Sequence, residues 1–405
     1  MKILVVSSYL PYPLFSGGHI RLYNILKLLS KKHEITLICE KRSHQKKEDV
    51  EALQKICKKV IAVPRNTQWS LSTILKTGFS SYPFLLAGHA NSALGEAINS
   101  ELKNNYDIIH VETFYVMHNL PMNMSGLPPV VLVEHNIEYL VYERYANHAN
   151  PLLRPFLSID IAKIKKWEKY FWKKADRLVA VSEEEKKLMN RDDAVVVPNG
   201  VDTTKFKMRS SSAGEAGREK LKIDEKRILF IGDFKWIQNR DAVEFILKDI
   251  WPRIMSKWQI KNGILKLWIV GRSIPAEIKA LSNDDSVLFD ENAPVNTAEI
   301  FSRSFALLAP IRVGAGTSYK ILESMASGLP VVTTSLGIEG VIGKDKEHAL
   351  IGNTSEELAA EVLELLTNKK LYNMLSENGS DLVRKNYNWD AIVEKLEKVY
   401  SSVIR

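Results

Sequence analysis

Two sets of short, near-continuous apolar runs constrain this chain more than any other feature. In the first half they are KILVVSS (2–8), EITLICE (34–40), KVIAVP (59–64), DIIHVET (107–113), VVLVEHN (130–136) and RLVAVSE (177–183). In the second half they are RILFIGD (227–233), LKLWIVGR (265–272), SVLFDE (286–291), FALLAP (305–310), PVVTT (330–334) and HALIG (348–352). Runs of this kind suit strands buried on both faces. Helical patterns lie between most of them, such as GHIRLYNILKLLSKKH, with Ile20, Tyr23, Leu26 and Leu29 at helical spacing, and NRDAVEFILKDIWPRIMSKW. Alternation of strand and helix predicts an α/β chain with two Rossmann-like, doubly wound parallel sheets.

A length of 405 residues suits two to three domains. The expected division is a first domain over 1–190, a linker over 191–205, a second domain over 206–385 and a final helix over 386–405. That last segment, NYNWDAIVEKLEKVYSSVIR, carries Trp389, Ile392, Leu396 and Tyr400 on one side. The polar stretch KMRSSSAGEAGREKLKID (207–224) reads as a mobile surface loop.

No run approaches the ~18 apolar residues of a membrane span. The start, MKILVVSSYLPYP, reads as a strand and not as a signal peptide. The two cysteines, Cys39 and Cys57, read as small buried hydrophobes. A cytoplasmic location is the resulting expectation. The net charge of +8 suits nucleic acid, anionic lipid or small anions. Nucleic acid is disfavoured, because the basic residues are dispersed and form no known module. A dehydrogenase is also disfavoured, because G-x-G-x-x-G does not follow the first strand.

Ligands of open parallel sheets sit beyond the carboxyl ends of the strands. The unusual residues gather there: Gly17 and Gly18, Glu112, Glu134–His135–Asn136, Asn199–Gly200, Gly232–Asp233, Gly271–Arg272 and Arg312. Their shared position predicts a cleft between the two domains. One segment, GAGTSYKILESMASGLPVVTT (314–334), carries the most. Gly314 and Gly316 let the backbone turn and approach a ligand. Thr317 reads as an N-cap, and a helix start there suits an anion. Arg312 precedes it and Lys320 lies inside it, both suited to phosphate. Gly328 ends the helix. Glu323 suits sugar hydroxyls; its bland alternative is an ion pair with Lys320 on a wet face, worth ~0.2–0.5 kcal/mol.

With these residues in view, the sequence resembles the retaining glycosyltransferases of the GT-B fold, in particular glycosyltransferase family 4. The resemblance spans nearly the whole chain and is most specific over LAPIRVGAGTSYKILESMASGLPVVTTSLGIEGV. SGGHIRLYNILKLL, DIIHVE, VEHNIEY, ADRLVAVSEEEKKLM, VVPNGVD, FIGDFKWIQNRDAVEFILKDIWP and IVGR support it. It implies that the second domain holds a nucleotide-diphosphate sugar, with a UDP- or GDP-sugar favoured. Glu323 would take the ribose hydroxyls, and Gly316, Thr317 and the helix start would face the diphosphate. Gly17 and Gly18 would offer backbone N–H groups, and His135 would lie near the reacting sugar and the acceptor. The last helix would cross back onto the first domain. The chain departs from the family pattern at Ala315, Asp233 and Gln238, where relatives carry Glu, Arg and Lys. The candidate replacements for the lost cations are Lys235, Arg240, Arg272, Arg312 and Lys320.

The chain has no D-x-D, which predicts transfer without a metal or other cofactor, with the leaving diphosphate stabilised by amides and cations. No opposed carboxylate pair suits a two-acid hydrolysis. Glu112, Glu134 and Asn136 are expected on the acceptor side. The expected acceptor is a glycan or a lipid-linked sugar, in cell-surface polysaccharide or glycolipid assembly. The basic segment KIKKWEKYFWKK (163–174), with Ile161, Ile164, Trp167 and Phe171 in a stripe, is expected at the inner face of a membrane. Its bland alternative is a helix packed on the first sheet. An epimerase on the same fold and a catalytically impaired relative are the alternative functions.

Overall fold

The computed structural model of the chain describes residues 1–14, 16–66, 77, 80–148, 151–206, 225–258, 263–293, 297–314 and 316–404. The stretch 207–224, read above as a surface loop, lies outside the described residues, as does Ala315. The chain divides into two compact units, Met1–Asn199 with Trp389–Arg405, and Gly200–Asn388.

Each unit is built on one parallel sheet. The first has β1 (Lys2–Ser7), β2 (Glu34–Lys41), β3 (Lys59–Pro64), β4 (Ile108–Glu112), β5 (Val130–Val133), β6 (Arg177–Ala180) and β7 (Val195–Val196), in the order β3-β2-β1-β4-β5-β6-β7. The second has β8 (Glu225–Asp233), β9 (Ile264–Arg272), β10 (Val287–Asp290), β11 (Ala306–Ala309), β12 (Val331–Thr333) and β13 (Leu350–Ile351), in the order β10-β9-β8-β11-β12-β13. Every apolar run of the sequence supplies a strand. The reason is visible in β1, where the consecutive residues Ile3, Leu4, Val5 and Val6 are all buried, so both faces of the strand are covered. Each sheet reverses its strand order once, between β1 and β4 and between β8 and β11. Loops leaving the two strands at such a point run to opposite faces and leave a crevice at the carboxyl edge.

Three sequence expectations need correction. Segment 191–199 is not linker: β7 pairs with β6, and the division falls between Asn199 and Gly200. The long helix of the second unit is interrupted. Ile237–Phe245 passes through a π turn over Ile246–Ile250 into Trp251–Lys257, because Pro252 has no N–H to continue the ladder. The apolar stripe of the basic helix Arg154–Lys174 faces inward. Ile161, Ile164 and Phe171 are core residues, Trp167 stacks on Tyr82 at 4.7 Å, and Lys163 donates to the carbonyls of Thr77 and Ser80. Among the described residues no helix is long and apolar enough to cross a membrane.

The last helix, Trp389–Ser401, belongs to the first unit. Glu397 pairs there with His33 (2.8 Å) and Lys32 (2.9 Å). Arg21, fully buried on the Gly17–Leu29 helix, ties down the end of the same unit. It donates to the carbonyls of Val197 (2.9 Å) and Pro198 (2.7 Å) and to Asn199 Oδ1 (3.2 Å). Removing it strands several buried acceptors together, so Arg21→Leu should destabilise the first unit by about 3 kcal/mol. Chemical denaturation followed by a probe in that unit measures this, and an unshifted transition would contradict it.

Candidate functional site

The crevice of the first sheet lies where β1 and β4 part, with Ser7 and Glu112 in register. Beyond β1 the chain passes Tyr9 and enters the Gly17–Leu29 helix. Tyr9 Oη donates to the Gly18 carbonyl (3.2 Å). A Cβ on Gly18 would sit 3.1 Å from Tyr9 Oη and 3.4 Å from His135 Nδ1, so glycine lets the helix start close on both side chains. His135 follows β5, and its Nε2 lies 3.0 Å from Glu112 Oε2. Glu112 is fully buried. Burial alone would raise its pKa. The charge and hydrogen bond of His135 and the nearness of His110 outweigh burial and hold the carboxyl well below the usual range. An ionised carboxylate only accepts, so Nε2 of His135 carries a proton and Nδ1 is the atom turned to Gly18.

The chain of contacts continues inward. His110 Nε2 lies 3.7 Å from Glu112, and His110 Nδ1 lies 2.6 Å from Tyr400 Oη on the last helix. Thr113, next to Glu112, has φ of 69°, a strained conformation for a β-branched residue. His19 completes the rim. Burial, with the positive charges of Arg42 and His44, lowers its pKa to about 4.

Glu134 does not join this group and is corrected. Its carboxyl turns into the core, accepting from Trp172 Nε1 (3.0 Å) and the Phe114 N–H (3.3 Å). Burial and the nearby Glu168 carboxyl raise its pKa well above the usual range. Asn136 bonds locally to Glu138.

In the second unit the crevice lies between β8 and β11. Gly314 (φ 132°) and Gly316 (φ 82°) take conformations that favour glycine, and the chain then enters the Tyr319–Ala326 helix. The N-cap is Ser318, not Thr317 as expected. Thr317 Oγ1 is buried without a hydrogen-bond partner and faces Gly340, where a Cβ would come within 2.5 Å of it. The helix closes on Gly328 as the sequence suggested. The Gly328 N–H bonds to the Met325 carbonyl and the Leu329 N–H to the Ser324 carbonyl.

Lys320 and Glu323 do not pair with each other. Lys320 Nζ donates to Asn239 Oδ1 (2.7 Å) and lies 4.3 Å from the centre of the Phe230 ring, and burial lowers its pKa to about 7. Glu323 bonds to Thr297, and burial raises its pKa to about 7 against the opposing charge of Lys205. Arg312 grips Asp241 with two nitrogens (2.8 and 3.2 Å) over the Phe245 ring, and Arg272 reaches Asp233 (3.2 Å). Lys235 is exposed, and the Nε of Arg240 is buried with no partner. Gly232 and Gly271, grouped with the candidate ligand residues at strand ends, have packing reasons to be glycine. Their Cβ atoms would meet the Asn239 side chain at 2.7 Å and the Gly232 carbonyl at 2.0 Å.

Sequence reasoning missed Tyr9, His110 and Tyr400 in the first unit and Lys205, Asn239 and Thr297 in the second. His110 could have been found, since positions 110 and 112 of one strand share a face. Tyr400 read as one more member of an apolar stripe. Among the described residues no group of three or more His, Cys, Asp or Glu is placed to hold a metal ion.

Comparison with known proteins follows the two-unit division. Residues 15–205 match the profile described as "Glycosyltransferase Family 4", and residues 225–368 match "Glycosyl transferases group 1". An "Uncharacterized 44.6 kDa protein in cps region" of Klebsiella pneumoniae is 24% identical over 415 residues, covering 100% of this chain and 99% of that one. Sucrose-phosphate synthase of Thermosynechococcus elongatus superposes with a TM-score of 0.70 at 16% identity, over 99% of each chain. Anabaena Alr3699/HepE, solved in complex with UDP, superposes at 0.65 and 14% identity, over 99% of this chain and 100% of that one.

The buried Glu112 makes a pH prediction. Its pKa is depressed on folding, so its contribution to stability is present above the unfolded carboxyl value and is lost as pH falls through the folded one. Glu112→Gln should therefore cost about 2 kcal/mol at neutral pH, with the difference from wild type shrinking in acid. Denaturation at several pH values tests this; a difference that grows in acid would contradict it.

Proposed function

Because the chain belongs to glycosyltransferase family 4, the group 1 glycosyltransferases of GT-B fold, we propose that it moves a sugar from a nucleotide-diphosphate sugar to an acceptor hydroxyl, with retention and without a metal. The observation that carries this reading is the pair Gly314 and Gly316, both at positive φ, ahead of a helix whose Lys320 and Glu323 are both desolvated and point to different partners. Glu323 takes the two ribose hydroxyls, each a hydrogen bond to a charged group worth about 1.5–3 kcal/mol. Lys320, Arg240, Lys235 and the helix start take the diphosphate. As the glycosidic bond to the diphosphate breaks, the bond to the acceptor oxygen forms on the same face. The acceptor proton passes to the leaving phosphate, and no protein nucleophile is needed. His135, its ring fixed by Glu112, orients the acceptor hydroxyl. The UDP complex of Anabaena HepE and the cps setting of the Klebsiella relative support a uridine donor and a polysaccharide acceptor.

One observation favours a second reading, an impaired relative. Two of the cations expected to replace the missing Arg and Lys, Arg272 and Arg312, are already engaged by Asp233 and Asp241. Calorimetry with UDP, GDP, ADP, CDP and TDP, with EDTA present, separates the readings. One nucleotide should bind at least tenfold tighter than the rest; no binding to any would establish the impaired relative. Glu323→Gln should keep the fold and weaken that nucleotide by about tenfold to a hundredfold, the loss of about one charged hydrogen bond. It should also remove most transfer, and an unchanged turnover would end the assignment of Glu323.

The titrations set a pH dependence. An anion at Lys320 requires the ammonium, so binding weakens as pH rises through about 7. Ribose at Glu323 requires the carboxylate, so binding weakens as pH falls through about 7. Affinity should peak near neutrality. Lys320→Met should abolish the alkaline limb, and a limb that persists in this variant would contradict the role of Lys320.

A further inference from the structure

We propose that the exposed start of the Arg154–Lys174 helix docks on an anionic lipid bilayer, with Leu152, Phe156 and Ile159 entering the interface and Lys166, Lys169 and Lys173 holding anionic headgroups. This is not the face that the sequence pattern suggested. The inward stripe is consumed by the core. The outward face carries the surplus.

Leu152 is 81% exposed, Leu153 56%, Phe156 73% and Ile159 59%. Large apolar residues grouped on a surface in this way mark a contact with something else. Within the helix, positions 156, 159, 166, 169 and 173 are separated by three, seven, three and four residues, so they share one face over about 25 Å, and Leu152 and Leu153 lie in the turn just before it. The face is apolar in its first two turns and basic after them. An interfacial helix has the same two features, an apolar part to insert and a basic part for lipid phosphates.

Charge decides the occupant. The acids of this helix are turned away: Asp160 accepts from the Phe84 N–H (2.8 Å), and Glu168 accepts from the Glu138 (2.8 Å) and Tyr139 (3.2 Å) N–H groups. Lys166, Lys169 and Lys173 are exposed. Among the described residues of this helix, the outward face is thus basic without an acid of its own. A second copy docking on it would bring like charge against like charge. A surface of anionic headgroups is complementary over the whole length. The proposal adds to the proposed function the place where a lipid-linked acceptor would be met, but its observation is independent of that reading.

The experiment is co-sedimentation with vesicles of phosphatidylcholine alone and of equimolar phosphatidylglycerol and phosphatidylcholine, at low and high salt, without donor or acceptor. The full chain should bind the anionic vesicles at low salt and not the neutral ones. The double variant Phe156→Ser, Ile159→Ser and the triple variant Lys166→Glu, Lys169→Glu, Lys173→Glu should each bind at least about tenfold more weakly, the scale expected for losing several basic contacts. Both sets are on the surface, and unchanged circular dichroism and nucleotide affinity would show that fold and donor site are intact. Absence of binding to anionic vesicles at low salt, or binding unaffected by both variants, overturns the proposal. So does a concentration-dependent dimer abolished by the serine variant, which would make the face a contact between copies. Vesicle binding is read without turnover, so its failure is distinct from failure of the transferase reading.

Discussion

The strand-order reversal in each sheet governs where everything else in this protein can be. A parallel sheet must cover both faces with helices, and its order is built outward from a first strand in two directions. Only where the direction changes do neighbouring strands send their loops to opposite sides. In the first unit that point separates β1 from β4, and Gly18, the buried Glu112 and the neighbouring His135 gather there. In the second it separates β8 from β11, and the buried Asn239, Lys320 and the glycines Gly314 and Gly316 gather there. The chemistry of both units is therefore a consequence of topology before it is a consequence of any one residue.

Burying ionic groups at these points carries a cost, and the structure shows how it is offset. Glu112 remains ionised because His135 and His110 lie beside it. Arg21 is surrounded by carbonyl oxygens and an amide. Glu134 and Glu168 have no cation partner in their hydrogen-bond sets. Burial raises both, Glu168 to about 8, and Glu168 accepts the first N–H groups of the Glu138–His148 helix. Two carboxyls close in sequence thus differ in role. Glu112 ends β4 on the crevice side beside a histidine, and Glu134 follows β5 on the side of Trp172.

The same contrast marks how far the sequence could be read. Every strand but β7 was legible, because parallel strands buried on both faces leave uninterrupted apolar runs, whereas β7 is two half-buried valines in a stretch that reads as linker. Gly314, Gly316 and Gly328 were legible as turn and helix-end residues, because their backbone conformations exclude most other residue types. The side to which Glu134 turns was not, since a single residue beyond a strand end has no pattern to orient it. Thr317 and Ser318 compete for the same cap in sequence, and the extended backbone of Ser318 just before the helix decides between them. The inward face of the Arg154–Lys174 helix was legible as a stripe, but its partner was not: periodicity shows that a face is apolar, not what covers it. Tyr400 reaches His110 across 290 positions of sequence, a contact no local pattern encodes.

The departure at 233 gains a physical meaning in this setting. Asp233 stands where relatives carry a cation, and in this chain it holds Arg272 and the Lys235 N–H. Asp241 likewise holds Arg312, stacked on Phe245. Burial lowers the pKa of Lys320 to about 7, so its amine is harder to charge than an exposed one. The second unit therefore presents masked charge and not a bare basic cluster. An arbitrary polyanion gains little there, because it must displace a carboxylate from a guanidinium or charge a desolvated amine. A ligand that reaches Lys320, the helix start and Glu323 together can offset that cost through several contacts at once. In a chain of net charge +8, masking of this kind at the proposed anion site places the burden of recognition on fit.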